Sequence, residues 1–253
     1  LKTSTSSTEY EELWTDFLRS FAKHLKAKGW FERIVIAMDE RGLDAMTDAY
    51  RVAQQAVPGI KMALAGNYHK ELADKLYDYC VAYGQHFTDA ELSMRNAKGW
   101  VTTTYTACPD SEPNVCSNNS PADAAYLPIY CLANGFNGFL RWAWMNWTDA
   151  PLQDTRFRMF TPGDTYMVYP GGRSSIRFER VIEGIQQTEK VRLLREEYTQ
   201  TGNIIELQRL NELVSDFASG TVSAEKPSSF YVERLESLLN DIPQKTFGKS
   251  IER

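Results

Sequence analysis

Ile34-Val35-Ile36-Ala37-Met38-Asp39-Glu40 sets five apolar residues directly before two adjacent carboxylates. Helical patterns lie on both sides, so the apolar run reads as a buried parallel strand. In α/β barrels, ligand-handling residues gather where such strands end. Neighbouring carboxylates at a strand end project in different directions, so one can donate a proton while the other stays ionised. That division of labour suits glycoside hydrolysis. The competing reading is structural, since Asp-Glu dipeptides also serve as helix-entry residues.

Upstream, Thr8-x-x-Glu11 reads as a capping box ahead of Leu13, Phe17, Leu18, Phe21 and Leu25, with Gly29 as the stop. Downstream, the pattern predicts a helix over about 43–56, a strand over 60–65 and a short helix from His69. A strand over 77–83, a helix over 88–98 and a Thr- and aromatic-rich strand over 100–105 follow. After a polar loop, a helix from Pro121 to about Asn134 stops at Gly135, and Phe139–Trp144 reads as the fifth strand. Alternation of this kind argues for parallel β/α units with right-handed crossovers. Beyond Trp147 come a long loop, a short strand at 166–169, and helices over about 176–199, 203–218 and 228–241. The tail after Ile242 reads as mobile.

With 253 residues and 43% hydrophobic content, the chain can bury one large core. A net charge of −5 and the lack of any dense Lys/Arg cluster speak against nucleic acid. No apolar stretch is long enough to cross a bilayer. Neither CxxC nor HExxH occurs and the three histidines are scattered, so no metal or organic cofactor is expected. Cys80 and Cys131 read as core thiols, while Cys108 and Cys116 bracket a loop that a disulfide could close in an exported protein. The chain starts at Leu1 without a signal peptide, which is expected of a processed protein or a fragment.

Three blocks are more specific than the carboxylate pair. They are Gly135-Phe136-Asn137-Gly138-Phe139-Leu140-Arg141-Trp142-Ala143-Trp144-Met145-Asn146-Trp147, then Arg156-Phe157-Arg158, then Gly163 through Arg180 with its Tyr169-Pro170-Gly171-Gly172-Arg173 turn. Together with Tyr105-Thr106-Ala107-Cys108, Pro113-Asn114 and Ser120-Pro121-Ala122, they resemble the catalytic domain of glycoside hydrolase family 123 and the related domain of unknown function 4091. The resemblance runs from about Phe31 to Glu197. It implies a (β/α)8 TIM-barrel fold behind an accessory β-sandwich, with the Asp-Glu pair closing the fourth strand. The chain would then carry strands four to eight in residues 1–200 and a helical extension in 201–253. The first three strands and the sandwich are expected from the parent protein or another chain.

Characterised members resemble N-acetyl-β-galactosaminidases, in which the substrate's own acetamido oxygen attacks the anomeric carbon. By that resemblance Asp39 orients the acetamido group and Glu40 is the general acid. The expected substrate is a glycan with a terminal β-linked 2-acetamido sugar, and the expected location is secreted, periplasmic or cell-surface. The family commonly has Pro after the pair; here Arg41 follows, and a guanidinium beside Glu40 favours its ionised form. A non-catalytic carbohydrate-binding or structural barrel, or a glycosidase acting on another sugar, is the alternative.

Other candidates follow from their places at strand ends. Trp147, beside Asn146, suits a platform stacking on a sugar ring, against a packing role. Tyr105 either hydrogen-bonds substrate or caps the core, and Asn67 and Tyr68 either bind or form the turn. Asp164 either binds sugar hydroxyls or braces its loop through Arg156 or Arg173. Arg141 is expected to be a buried cation paired with a carboxylate such as Glu179.

Overall fold

The computed structural model describes residues 4–38, 40–107 and 112–241. Asp39, Cys108 and the tail beyond Asp241 lie outside them, and so do the readings made of them. The fold is α/β, with five strands alternating with helices, and the chain divides into two compact units, Leu1–Thr104 and Tyr105–Arg253.

In the first unit, α1 (Thr8–Lys28) leads to β1 (Ile36–Met38), α2 (Leu43–Ala56), β2 (Met62–Gly66), α3 (Lys70–Ala73), β3 (Asp78–Ala82), α4 (Asp89–Ala97) and β4 (Val101–Tyr105). The strands lie in the order β1-β2-β3-β4. Pairing is parallel, with Ile36 opposite Met62 and Ala63 opposite Asp78, so β1, β2 and β3 end near one another. The N-cap of α1 is Ser7, one residue before the expected Thr8: its backbone is extended and its hydroxyl accepts from the Tyr10 amide at 3.2 Å. A full capping box is found at α4, where the Thr88 and Glu91 side chains each accept from the other's backbone N–H.

Arg95 of α4 is a buried cation held by neutral partners. It donates to Thr102 Oγ1 at 2.7 Å and to the carbonyls of Ala73, Leu76 and Val101 at 2.9, 2.8 and 2.6 Å. Burial depresses its pKa to about 10. One guanidinium thus ties α3, the approach to β3 and the start of β4 together.

In the second unit, α5 (Pro121–Ala133) and β5 (Gly138–Leu140) precede three long helices, α6 (Ile176–Thr201), α7 (Ile204–Ser215) and α8 (Ser228–Asp241). Helix α5 is apolar on all sides and nearly every residue is buried, which marks it as the core of this unit. Helix α6 crosses it at Gly184, where a Cβ would meet the Ala125 carbonyl oxygen at 2.4 Å, so only glycine permits the approach. Tyr126, Phe217 and Tyr231 join α5 to the turn after α7 and to α8 by ring contacts at 5.0–5.7 Å.

Two strand expectations need correction. β5 stops at Leu140 rather than Trp144, because the chain then pairs with the later loop: Met145 bridges Tyr166, and the Met167 amide donates to the Trp144 carbonyl at 3.0 Å. The strand expected at 166–169 consists only of isolated antiparallel bridges.

Candidate active site

Glu40 follows β1, Asn67 follows β2, and Gln85 follows β3, so parallel pairing delivers three polar side chains to one end of the sheet. Asn67 donates twice to Oε1 of Glu40, from its backbone amide at 3.3 Å and from Nδ2 at 3.1 Å. Gln85 Nε2 donates to Asn67 Oδ1 at 2.7 Å, and Gln85 Oε1 accepts from the Tyr68 amide. The Tyr79 hydroxyl completes the turn, donating to the Asn67 carbonyl and accepting from the His69 amide, both at 2.7 Å. Gly66 leaves the room this packing uses: a Cβ there would sit 3.0 Å from both Cγ and Cδ of Glu40.

Tyr68 packs edge-on against Phe87, and its hydroxyl lies 2.9 and 3.0 Å from the two oxygens of Glu91. Burial, reinforced by that carboxylate, pushes the phenol up to about 12. Burial would raise Glu91, but donors from Thr88 and Tyr68 outweigh it and hold the carboxyl below its ordinary value. Arg41 Nη1 donates to the Glu40 carbonyl oxygen at 3.0 Å.

The second unit holds the remaining candidates. Tyr105 ends β4 and is partly buried. Beyond it the loop is anchored by Asn114, which accepts from Thr106 Oγ1 at 2.9 Å and whose amide donates to the buried Asp123 carboxylate at 3.1 Å. Trp147 is 39% exposed, and its Nε1 donates to the Val168 carbonyl at 2.8 Å, which anchors the edge of the indole. Asn146 is exposed, its amide donating to the Thr165 carbonyl at 3.1 Å. Trp144 meets Phe178 edge-on, and Trp142 lies against Phe160.

Asp164 does not join Asn146 and Trp147 at the surface. Its side chain and that of Arg141 are each 1% exposed, and Arg141 Nη2 donates to Asp164 Oδ1 at 2.7 Å and also to its carbonyl. Asp164 is therefore placed as a brace, with Arg141 as partner rather than Arg156 or Arg173. Arg141 pairs with Asp164 rather than Glu179, whose carboxylate accepts from Ser174 Oγ, while Arg156 pairs with Asp154 at 2.8 Å. Arg177 lies close by, donating to the carbonyls of Val115, Gly163 and Tyr166 at 2.6–2.9 Å. Sequence reasoning passed over Gln85, Gly66 and Glu91. Gln85 and Gly66 share the signal that drew attention to Asn67, a polar residue or glycine at a strand end.

Cys80, Cys116 and Cys131 are buried and form no disulfide among the described residues. Cys116, one of the two cysteines that could close a loop disulfide, points its thiol at Asp164 Oδ1, 3.8 Å away. Burial, with Asp164 adding to it, pushes Cys116 up to about 11, and burial takes Cys80 to about 12. Thiolate is the reactive form, so at pH ~8 these two carry roughly a hundredth or less of an ordinary thiol's thiolate. Iodoacetamide should therefore leave both unmodified in the native protein and label them after denaturation, as read by peptide mass spectrometry. Native-state labelling of either would overturn the burial argument. Among the described residues, no group of three His, Cys, Asp or Glu is placed to hold a metal, and no helix is long and apolar enough to cross a membrane.

The family model for the glycoside hydrolase 123 catalytic domain matches residues 1–194. No curated protein matches the chain. Among solved structures it is similar to a family 123 glycoside hydrolase from Clostridium perfringens, studied for the details of glycolipid glycan hydrolysis, with 27% identity and a TM-score of 0.80. The match covers 95% of this chain and 46% of that one, so this chain spans about half the length of that structure. The parallel β/α order agrees with part of a TIM-barrel-type catalytic domain. With a family model matching well over half its length, the chain belongs to glycoside hydrolase family 123.

Proposed function

We propose that the protein containing this chain is a retaining glycosidase that removes a terminal β-linked 2-acetamido sugar, N-acetylgalactosamine in the first instance. The observation that carries the reading is the setting of Glu40: a carboxyl side chain at the end of a parallel strand, oriented by two donors from the neighbouring strand's end. In the proposed reaction the acetamido oxygen bonds to the anomeric carbon as the glycosidic C–O bond breaks. The departing oxygen keeps the bonding electron pair and takes a proton from Glu40. Asp39 orients the acetamido group. Water then attacks the anomeric carbon and displaces the acetamido oxygen, which takes back the electron pair of the bond formed in the first step, while one proton of the water passes to Glu40. Within the second unit, the anchored and partly exposed indole of Trp147 is suited by itself to stacking on a sugar ring. Glycolipid glycan hydrolysis, the reaction studied with the Clostridium perfringens enzyme, makes a glycolipid headgroup a reasonable first natural substrate. Such a substrate would place the enzyme outside the cell.

We also propose that polypeptide outside residues 1–253 completes the barrel. β1 lies at the edge of its sheet with Ala37 exposed, and Leu13, Trp14 and Phe17 of α1 are 44%, 38% and 54% exposed. Parallel β/α sheets cover both faces, so this surface is suited to further strands and helices.

The test is hydrolysis of a chromogenic β-N-acetylgalactosaminide, with inhibition by a thiazoline analogue of the cyclised intermediate. Turnover of substrates lacking the 2-acetamido group at comparable rates would overturn the assisted mechanism. Glycan binding without turnover would favour the non-catalytic alternative.

A further inference from the structure

We propose that Gln85 is a positioning residue that decides which oxygen of Glu40 carries the catalytic proton; the proposal rests on Glu40 being the general acid. One group behind Glu40 has no choice of role. A backbone N–H can only donate, so the Tyr68 amide requires Gln85 to present Oε1 to it. The Gln85 Nε2 group must then face the other way, and there it donates to Asn67 Oδ1 at 2.7 Å. With its carbonyl oxygen taken, Asn67 turns Nδ2 towards Glu40. The orientation of both amides is thus fixed by one main-chain donor.

The consequence falls on Glu40. Oε1 accepts from the Asn67 backbone and side chain together, so it is the acceptor oxygen. Among the described residues Oε2 takes no hydrogen bond, so it is the oxygen left to hold a proton for the departing group. Without Gln85, Asn67 can rotate by half a turn and offer Oδ1 to Glu40. A protonated Glu40 would answer that oxygen by placing its proton on Oε1, away from the substrate.

Gln85→Glu is the discriminating variant. Ionised, the introduced carboxylate still accepts from the Tyr68 amide but cannot donate, so it draws the Asn67 amide round and leaves Oδ1 facing Glu40. Protonated, the same group regains a donor and restores the native arrangement. In the full chain, assayed on a β-N-acetylgalactosaminide with a poor leaving group at neutral pH, kcat should fall about 10- to 100-fold with KM changed less than about twofold. A substrate whose leaving group departs unprotonated should be turned over at near the native rate. The ratio of variant to native kcat should rise as pH falls and the introduced carboxylate takes up its proton. Gln85→Leu should show the same leaving-group dependence without the recovery at acid pH.

An equal loss on both leaving groups, an unchanged kcat on the poor one, or a ratio flat with pH would each overturn the proposal. Glu40→Gln is run alongside: if that variant shows no leaving-group dependence, it is the assignment of Glu40 that fails, and the role of Gln85 falls with it.

Discussion

Glu40→Gln should lower kcat about 10²- to 10⁴-fold on a β-N-acetylgalactosaminide whose leaving group needs a proton. The substitution keeps the volume and leaves Oε1 able to accept from Asn67, so the turn between β2 and α3 should hold its shape. What it removes is the exchangeable proton. A leaving group acidic enough to depart as an anion needs no such proton, and on it the variant should keep most of the native rate. KM should change little on either substrate, because the lost interaction develops as the bond breaks. Steady-state kinetics on the two substrates check this. Robust turnover of the poor leaving group by the variant would remove Glu40 from the reaction and leave the Asn67 contact as turn structure.

Which parts of this were readable from the residues follows from how each is encoded. The strands and helices of the first unit are local signals: apolar runs of strand length and 3.6-residue periodicity placed β1 to β4 and α2 within about two residues. α5 was readable for a different reason, its Ser120-Pro121 start and Gly135 stop. β5 was overextended because Trp142 and Trp144 alternate as a strand would. The backbone hydrogen bonds of this stretch instead go to residues 165–168, a pairing between segments about twenty residues apart. The acid pair stands out through its place after an apolar run and takes its expected roles from the resemblance, whereas nothing in the sequence drew attention to the relay behind Glu40. Asn67 and Gln85 lie 27 and 18 residues from their partners, on turns after different strands. Only parallel register brings them together, and nothing local to either residue announces it.

The pairing of Arg141 with Asp164 has the same character, and it sets the largest expected stability effect. Asp164→Ala should destabilise the second unit by about 3–5 kcal/mol, because it leaves a guanidinium buried at 1% exposure without its counter-charge. Asp164 is also the acceptor facing the Cys116 thiol, and Arg177 is bonded to the Gly163 carbonyl beside it. Loss of the carboxylate should therefore loosen the 163–167 loop that pairs with Met145 and Asn146. The native pair is itself incompletely satisfied: Arg141 Nε and Nη1 and Asp164 Oδ2 find no partner among the described residues. For a buried ion pair with orphaned atoms, the cost of leaving water can exceed the gain from its own attraction. Arg141→Met combined with Asp164→Leu should accordingly recover most of the loss, to within about 1–2 kcal/mol of the native protein. Denaturant unfolding of the native protein, both single variants and the double variant measures the coupling directly. Additive losses in the double variant would mean that the two side chains are held by their surroundings rather than by each other. The brace would then reside in the backbone contacts of residues 144–147 with 165–168.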